Sequence, residues 1–252
     1  MYHHMLFISW NINGIRSRFA GLQRLVADYA PDFVCLQKVR NNSGRGDFSI
    51  DGYCQLYTPE DCGDWSGVMT YVRNSAGAAP HRVATPELSR DGHLQLYAFG
   101  DFYLVNAYVP FAGFSVAGAV ERRREWDSRF RLLMTRLTSV KPVVACGDFN
   151  VVHTVMDTCE DRLELQRPCF TKWERDNFNR LLSGADLADT YRVTHPGEQA
   201  VTYYGNFRHM KIGNRIDYIL VSRSLLKYPL LSEILSDFVS GQSVPVTLEM
   251  EI

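Results

Sequence analysis

The sequence predicts an α/β fold, a four-layer sandwich in which two packed mixed β-sheets are flanked by helices. Three features of the chain lead there. Short apolar runs recur along it, each bounded by turn residues. Predicted strands far outnumber helices, and several follow one another directly, which disfavours a doubly wound parallel sheet with its crossover helices. No Pro/Gly/Ser-rich linker and no internal repeat interrupts the chain, so residues 1–252 read as one domain.

Met5–Trp10 reads as the first strand. Phe19, Leu22, Leu25, Val26 and Tyr29 recur at helical spacing, and Pro31 stops that helix. Asp32–Gln37 reads as a buried strand and Gly67–Val72 as a strand. Leu94–Phe99 and Phe102–Tyr108 flank the turn Gly100-Asp101 as a β-hairpin. Glu121–Leu137 is a long charged helix with Trp126, Phe130, Leu133, Met134 and Leu137 on its inner face. Val143–Cys146 is a buried strand ending at Gly147. Thr171–Leu182 is a second amphipathic helix, opened by a Thr171/Glu174 capping box. Arg215–Ser222 and Val246–Ile252 close the chain as strands.

Hydrophobic residues make up 46% of the chain, enough for a full core. A net charge of −1 argues against a non-specific DNA coat; any nucleic-acid partner must be held by a local basic face. The six cysteines form no CxxC pair and no zinc spacing, and Cys35 and Cys146 sit in apolar runs as small core residues. No run approaches the roughly 18 apolar residues of a membrane span. The apolar stretch after Met5 is broken by Asn11 and Asn13, so no secretory signal is expected. The expectation is a reduced, cytoplasmic, monomeric protein with no membrane partner.

Polar residues stand at the ends of the apolar strands. They are Asn11 and Asn13, Gln37 and Lys38, Tyr108, Asp148 and Asn150, and Asp217. Strand ends converge at one edge of a sheet, so these residues can share a cleft. There an Asp can orient or deprotonate a water, and an Asn amide can donate to a developing oxyanion. Asn, Asp and Gly are also turn formers, which accounts for any one of these positions alone. It does not account for Asp217, which is flanked by apolar residues and needs a partner there.

The segments SWNINGIRSR, DFVCLQKVR, WSGVMTYVR, NAYVPFAG, GDFN, NRIDYIL and VPVTLEM follow one another in the order and spacing of the exonuclease III / AP endonuclease family. The chain resembles that branch of the endonuclease–exonuclease–phosphatase superfamily over essentially its whole length. The resemblance implies a deoxyribonuclease I-like four-layer sandwich, a divalent metal (Mg²⁺ or Mn²⁺), and hydrolysis of DNA phosphodiester bonds beside abasic sites or from 3′ ends. It implies that Asn11 and Asn13 line the cleft, with Asn13 near the metal. Tyr108 would contact the scissile phosphate, and Asp148 would position or activate the attacking water. Asn150 would contact phosphate, and Asp217 matches the aspartate that orients the family's catalytic histidine.

The departures are as informative. Lys38 stands where the family carries the Glu of LQET, and Gln242 and Ser243 stand where it carries Asp-His. Phe111 replaces an Asn in the YVPNAG loop, and Phe114 stands where some relatives have a DNA-contacting Arg. An ammonium about 4 Å from Mg²⁺ would repel it by roughly 8 kcal/mol at an effective dielectric near 20. So Lys38 swings away, or metal binds elsewhere, or the ammonium stands in for the metal; weak or displaced metal binding is expected. Glu60, Asp61 and Asp64 are other acids that could reach the metal position. The missing histidine removes a group typically contributing about 10²–10⁴-fold, which Ser243 cannot supply at neutral pH. Asp217 is then expected to pair with Arg215 or a neighbouring donor. His153 reads as structural, and His209 is the one substitute histidine considered.

Arg16, Arg18, Arg40, Arg45, Arg208, His209 and Lys211 interleave with Phe111, Phe114, Tyr203, Tyr204 and Phe207 in the cleft loops. That mixture suits phosphate contact with base stacking. Arg122-Arg123-Arg124 reads instead as a solvated helix face. Two functions follow: a DNA repair nuclease with weak or altered catalysis, acting on DNA or RNA, or a catalytically inactive nucleic-acid-binding or regulatory protein on the same fold. A phosphatase on another phosphoester has less support, because such members generally also use the missing Glu and His.

Overall fold

The structure, a computed structural model, describes residues 4–41, 47–57, 67–76, 80–85, 88, 93–113, 117–159, 167–207, 210–238 and 241–251. Arg45, Glu60, Asp61, Asp64, Phe114, Arg208 and His209 lie outside the described residues, as does the side chain of Phe207.

The elements in chain order are β1 (His4–Asn11), α1 (Ile15–Tyr29), β2 (Phe33–Gln37), β3 (Tyr53–Leu56), β4 (Val68–Arg73), β5 (His81–Arg82), β6 (Leu94–Ala98), β7 (Tyr103–Tyr108), α2 (Ala119–Thr138), β8 (Val143–Asp148), α3 (Lys172–Gly184), β9 (Leu187–Asp189), α4 (Thr190–Thr194), β10 (Tyr203–Phe207), β11 (Met210–Asn214), β12 (Asp217–Ser222), β13 (Leu230–Ile234) and β14 (Val246–Glu251). Two six-stranded mixed sheets form, in the orders β13-β14-β1-β2-β4-β3 and β5-β6-β7-β8-β12-β9, with β10-β11 as a separate ribbon. Each six-stranded sheet has one parallel pair, β1 with β2 and β7 with β8, spanned by α1 and α2 respectively. These crossovers supply the outer layers.

Residue parity sorts the layers, because successive side chains on a strand point to opposite faces. On β1, Leu6, Ile8 and Trp10 pack with Leu22, Leu25 and Val26 of α1, while Phe7 points the other way. On β8, Val143 and Ala145 meet Phe130 and Met134 of α2, while Val144 and Cys146 face Phe7, Phe33 and Cys35 of the opposite sheet. Phe7 and Phe33 stack at 4.7 Å in that central layer. Each such fully buried side chain contributes roughly 1.5–3 kcal/mol. Cys35 and Cys146 are the core residues expected of them.

The expected elements recur with shifted ends. The first helix begins at Ile15, not Phe19, because Gly14 turns the chain at φ 106° and the Ile15 N–H is taken by the Val39 carbonyl at 2.9 Å. Its exposed first turn of Arg16 to Arg18 hid the period. β8 continues through Gly147 to Asp148, and β12 starts at Asp217 rather than Arg215. The Thr171/Glu174 capping box is formed, Glu174 Oε2 accepting the Thr171 N–H at 3.0 Å. Among the described residues, no helix is long and apolar enough to cross a membrane.

Candidate active site

The central layer ends in polar side chains. Asn11 shares parity with Phe7 on β1, Gln37 with Phe33 and Cys35 on β2, Tyr108 with Leu104 on β7, Asp148 with Val144 and Cys146 on β8, and Asp217 with Ile219 on β12. All five therefore project between the sheets at one end. Below them lies a belt of buried amides and hydroxyls that the sequence did not announce. Gln37 Nε2 donates to Ser9 Oγ at 3.1 Å and to Asn106 Oδ1 at 2.9 Å. Asn106 Nδ2 donates to Thr70 Oγ1 at 3.1 Å, and Thr70 Oγ1 to Gln95 Oε1 at 2.8 Å. This network stitches one sheet to the other just beneath the cleft.

Asp148 is held from two sides. Asn11 Nδ2 donates to its Oδ2 at 2.8 Å, and the Asn150 N–H donates to its Oδ1 at 2.9 Å. Burial pushes its pKa up to about 6, and the Asn150 N–H and the charge of Lys38 oppose that rise. Gly147 must lack a side chain, because a Cβ there would lie 2.3 Å from the Ala107 carbonyl oxygen on β7. That close approach sets Tyr108 beside Asp148 in the parallel pairing. Burial, and then the charge of Asp148, raise the Tyr108 phenol well above its ordinary range. Asn150 Nδ2 donates to the Val109 carbonyl at 2.8 Å, which commits one of its N–H groups to the scaffold.

Asp217 stands opposite Asp148 in the β8–β12 ladder. Its partner is neither Arg215 nor an imidazole. Thr202 Oγ1 donates to Asp217 Oδ2 at 2.6 Å, and Asp217 Oδ1 is buried with no hydrogen-bond partner among the described residues. Burial first and Asp148 second raise its pKa well above the usual carboxylate range. Arg215 is fully committed elsewhere, donating to Asp157 at 2.7 Å and Asp189 at 3.0 and 2.5 Å. Of the two partners expected for Asp217, the neighbouring donor is the one present.

Lys38 comes from the other sheet, directly after β2. Burial lowers the pKa of its ammonium, while Asp148 and, more weakly, Asp217 pull the other way, so it stands within electrostatic reach of both carboxyls. Its φ of 55° is left-handed, as are those of Asn13 (49°), Arg40 (52°), Asn150 (46°) and Cys169 (69°). Non-glycine residues in that region cost about 1–3 kcal/mol each, and such strain collects at functional sites.

The structure thus brings Asn11, Lys38, Tyr108, Asp148, Asn150 and Asp217 together. Asn13 follows at the cleft edge, its Oδ1 buried and without a partner. Ser243 is buried and forms a bridge with Tyr203, while Gln242 is exposed and offers its carbonyl to the Tyr204 N–H at 2.7 Å. Tyr204, Lys211 and Phe111 are exposed, and Arg16 lies in the first turn of α1. His153 is structural, bonded to Asn179 at 2.8 Å and set edge-on to Phe178.

Arg123 requires a correction. It is not part of a solvated face: it is 3% exposed and donates to the carbonyls of Pro110, Phe149 and Asn150 at 3.0, 2.9 and 3.2 Å, and to Asp127 at 2.7 Å. It braces the loop that carries Asn150. Its position on the inner stripe, three residues before Trp126 and seven before Phe130, was the signal available in the sequence.

Among the described residues the donor set does not fit a divalent cation. No group of three or more His, Cys, Asp and Glu capable of holding a metal exists among the described residues. The unpartnered oxygens of Asn11, Asn13 and Asp217 are acceptors, but two are neutral amides, the third belongs to a carboxyl that burial favours protonated, and Lys38 puts a cation among them.

The pattern of the Endonuclease/Exonuclease/phosphatase family matches residues 8–239. The chain is 30% identical over 260 residues to the DNA repair nuclease APEX1 of Danio rerio, covering 99% of this chain and 83% of that protein. It is 29% identical over 232 residues to the DNA-(apurinic or apyrimidinic site) endonuclease of Dictyostelium discoideum, covering 89% of this chain but 64% of that protein's length. The AP endonuclease of Leishmania major shares the fold with a TM-score of 0.86 at 20% identity, over 99% of this chain and 88% of its own. Matched along nearly its whole length, the chain belongs to the endonuclease/exonuclease/phosphatase family, in its exonuclease III / AP endonuclease branch.

Proposed function

We propose that this chain is a DNA phosphodiester hydrolase of the exonuclease III / AP endonuclease type, acting as one domain, with weakened catalysis. The family is generally dependent on a divalent metal, and its curated relatives include DNA repair nucleases. The observation that carries the reading is the posture of Asp148. Its carboxylate is fixed by Asn11 and the Asn150 N–H at the mouth of the central layer. With a pKa near 6 it is ionised at neutral pH yet basic enough to take a proton from a water. Tyr108 and Lys38 supply a hydroxyl donor and a cation for phosphate, and Tyr204, Phe111 and Lys211 give exposed stacking and charge around the rim. The weakening follows from Asp217, which holds a threonine hydroxyl where the family's histidine would be oriented. The described donors do not fit a metal, so phosphate falls to Tyr108 and Lys38 and the water to Asp148.

That same Asp217–Thr202 pair favours a second reading, a nucleic-acid-binding or regulatory protein without turnover. The two separate on incubation of the protein with abasic-site and 3′-recessed duplexes in Mg²⁺ or Mn²⁺, beside Asp148→Ala. Cleavage that disappears in Asp148→Ala supports the hydrolase. Binding without cleavage establishes the second reading and overturns the first.

A further inference from the structure

The cleft floor carries its own cations. Asp148 and Asp217 oppose each other on one sheet. Lys38 comes from the other sheet, next to Gln37, which pairs in register with Asn11, the donor to Asp148. Its ammonium is within electrostatic reach of both carboxyls and of the Arg40 guanidinium. Burial and the neighbouring Asp148 raise the pKa of Asp217, which disfavours a second negative charge there. The Lys38 backbone is held at the cleft edge. Its carbonyl accepts the Gly14 N–H at 2.9 Å, the next N–H, of Val39, donates to Gly67 at 3.0 Å, and its own backbone is left-handed. The neighbouring Gln37 is bonded to Ser9 and Asn106. The backbone is therefore fixed on both sides of Lys38, and its ammonium lies within electrostatic reach of the floor.

We propose that the Lys38 ammonium is a tethered cation that binds the phosphodiester directly, so that the cleft holds DNA with no divalent metal. A bound metal and this lysine perform the same electrostatic task, neutralising phosphate over buried carboxyls, but the lysine is covalently fixed and indifferent to chelators. The unpartnered oxygens of Asn11 and Asn13 remain acceptors for ligand hydroxyls or water rather than metal donors. This inference rests on the reading that the cleft takes DNA, and it names the group that holds the phosphate.

Fluorescence anisotropy with a labelled duplex containing an abasic-site analogue tests it, in EDTA and in Mg²⁺. The expected result is wild-type affinity equal within about twofold in the two buffers. Lys38→Gln should weaken binding roughly 10- to 100-fold, the range for a charge-assisted hydrogen bond. It should also lower the slope of log affinity against log salt by about 0.9, one phosphate contact on duplex DNA. Lys38→Glu should bind more weakly still in EDTA and recover part of the loss in Mg²⁺. Wild-type binding that requires Mg²⁺ overturns the tethered cation and leaves the proposed function standing. No binding in either buffer overturns both. Unchanged affinity and salt slope in a folded Lys38→Gln also overturn it, and the wild-type comparison decides the question if the variants do not fold.

Discussion

Asp148 and Asp217 face each other across the β8–β12 ladder, yet they hold different partners. Asp148 receives an amide and a backbone N–H; Asp217 receives one threonine hydroxyl and keeps an oxygen unpartnered. Two carboxyls this close do not both ionise at low cost, and the one with more donors takes the charge first.

Stability should therefore fall as pH rises. Both groups have folded-state pKa values above the ordinary value of 3.8, Asp148 at about 6. Between the unfolded and folded values the native state binds more protons, so unfolding free energy declines across that window. For Asp148 the shift of about two units corresponds to about 3 kcal/mol, present below pH 4 and lost by about pH 7. Asp148→Asn should be more stable than wild type at pH 8 and lose that advantage at pH 4. Thermal melts of the two proteins across pH check this; parallel curves would contradict it.

Arg123 and Arg122 are sequence neighbours with opposite prospects. Arg123 is buried and serves three carbonyls and Asp127, whereas Arg122 is exposed and donates to the Ala117 carbonyl at 3.1 Å. Arg123→Ala should cost about 3–5 kcal/mol, as for breaking a buried ion pair. Arg122→Ala should stay within about 0.5–1 kcal/mol. Urea denaturation of both variants measures the difference, and equal losses would show that the brace has no energetic weight.

How far the sequence carried this picture varies with the physics of each element. Long periodic segments were legible: α2 and α3 show an apolar stripe, and β1, β2 and β8 show runs too apolar for a loop. The strand-end residues Asn11, Tyr108, Asp148 and Asp217 were legible because parity places them on one layer, whereas Lys38, one residue past the inward-facing Gln37, was legible by its place at the strand end. The short elements β5, β9, α4 and β13 were not, since none of them carries a continuous apolar run like that of β2. The β10–β11 ribbon was hidden because its strands lack an apolar alternation. Thr202 was missed for another reason. It lies 15 residues from Asp217 and meets it only because the chain folds back through that ribbon, a contact no local pattern encodes.

Gly147 offers a purely steric prediction. The space for a Cβ is filled by the Ala107 carbonyl, which is backbone and cannot rotate away. Gly147→Ala must push β7 from β8, and overpacking of this kind costs about 1–3 kcal/mol. The same displacement separates Tyr108 from Asp148, which are paired in that register. Urea melts should show the loss, and duplex DNA affinity should fall with it. Retained affinity at reduced stability would mean that the Tyr108–Asp148 pairing does not bear on the phosphate.

Restoring the missing groups is the most demanding test of the cleft. Ser243 bridges Tyr203, and the Val244 N–H donates to the Thr202 carbonyl at 2.9 Å, so residue 243 sits beside the threonine that holds Asp217. Asp217 Oδ1 is buried and unpartnered there, an acceptor with room for one N–H. An imidazole at position 243 could donate to it and turn its other nitrogen to the phosphate. Lys38→Glu in the same chain would replace the ammonium with a carboxylate next to Asn11 and Asn13. The combination Lys38→Glu, Gln242→Asp and Ser243→His should therefore raise Mg²⁺-dependent cleavage of an abasic-site duplex above wild type. Regaining the general base or polarising group is worth roughly 10²–10⁴-fold. Ser243→His alone should give less, because Lys38 still stands in the place of the family's metal-site Glu. If the folded triple variant cleaves no faster than wild type, then residue 243 does not stand where the family's histidine stands, and the proposed weakening of catalysis does not come from the three substitutions.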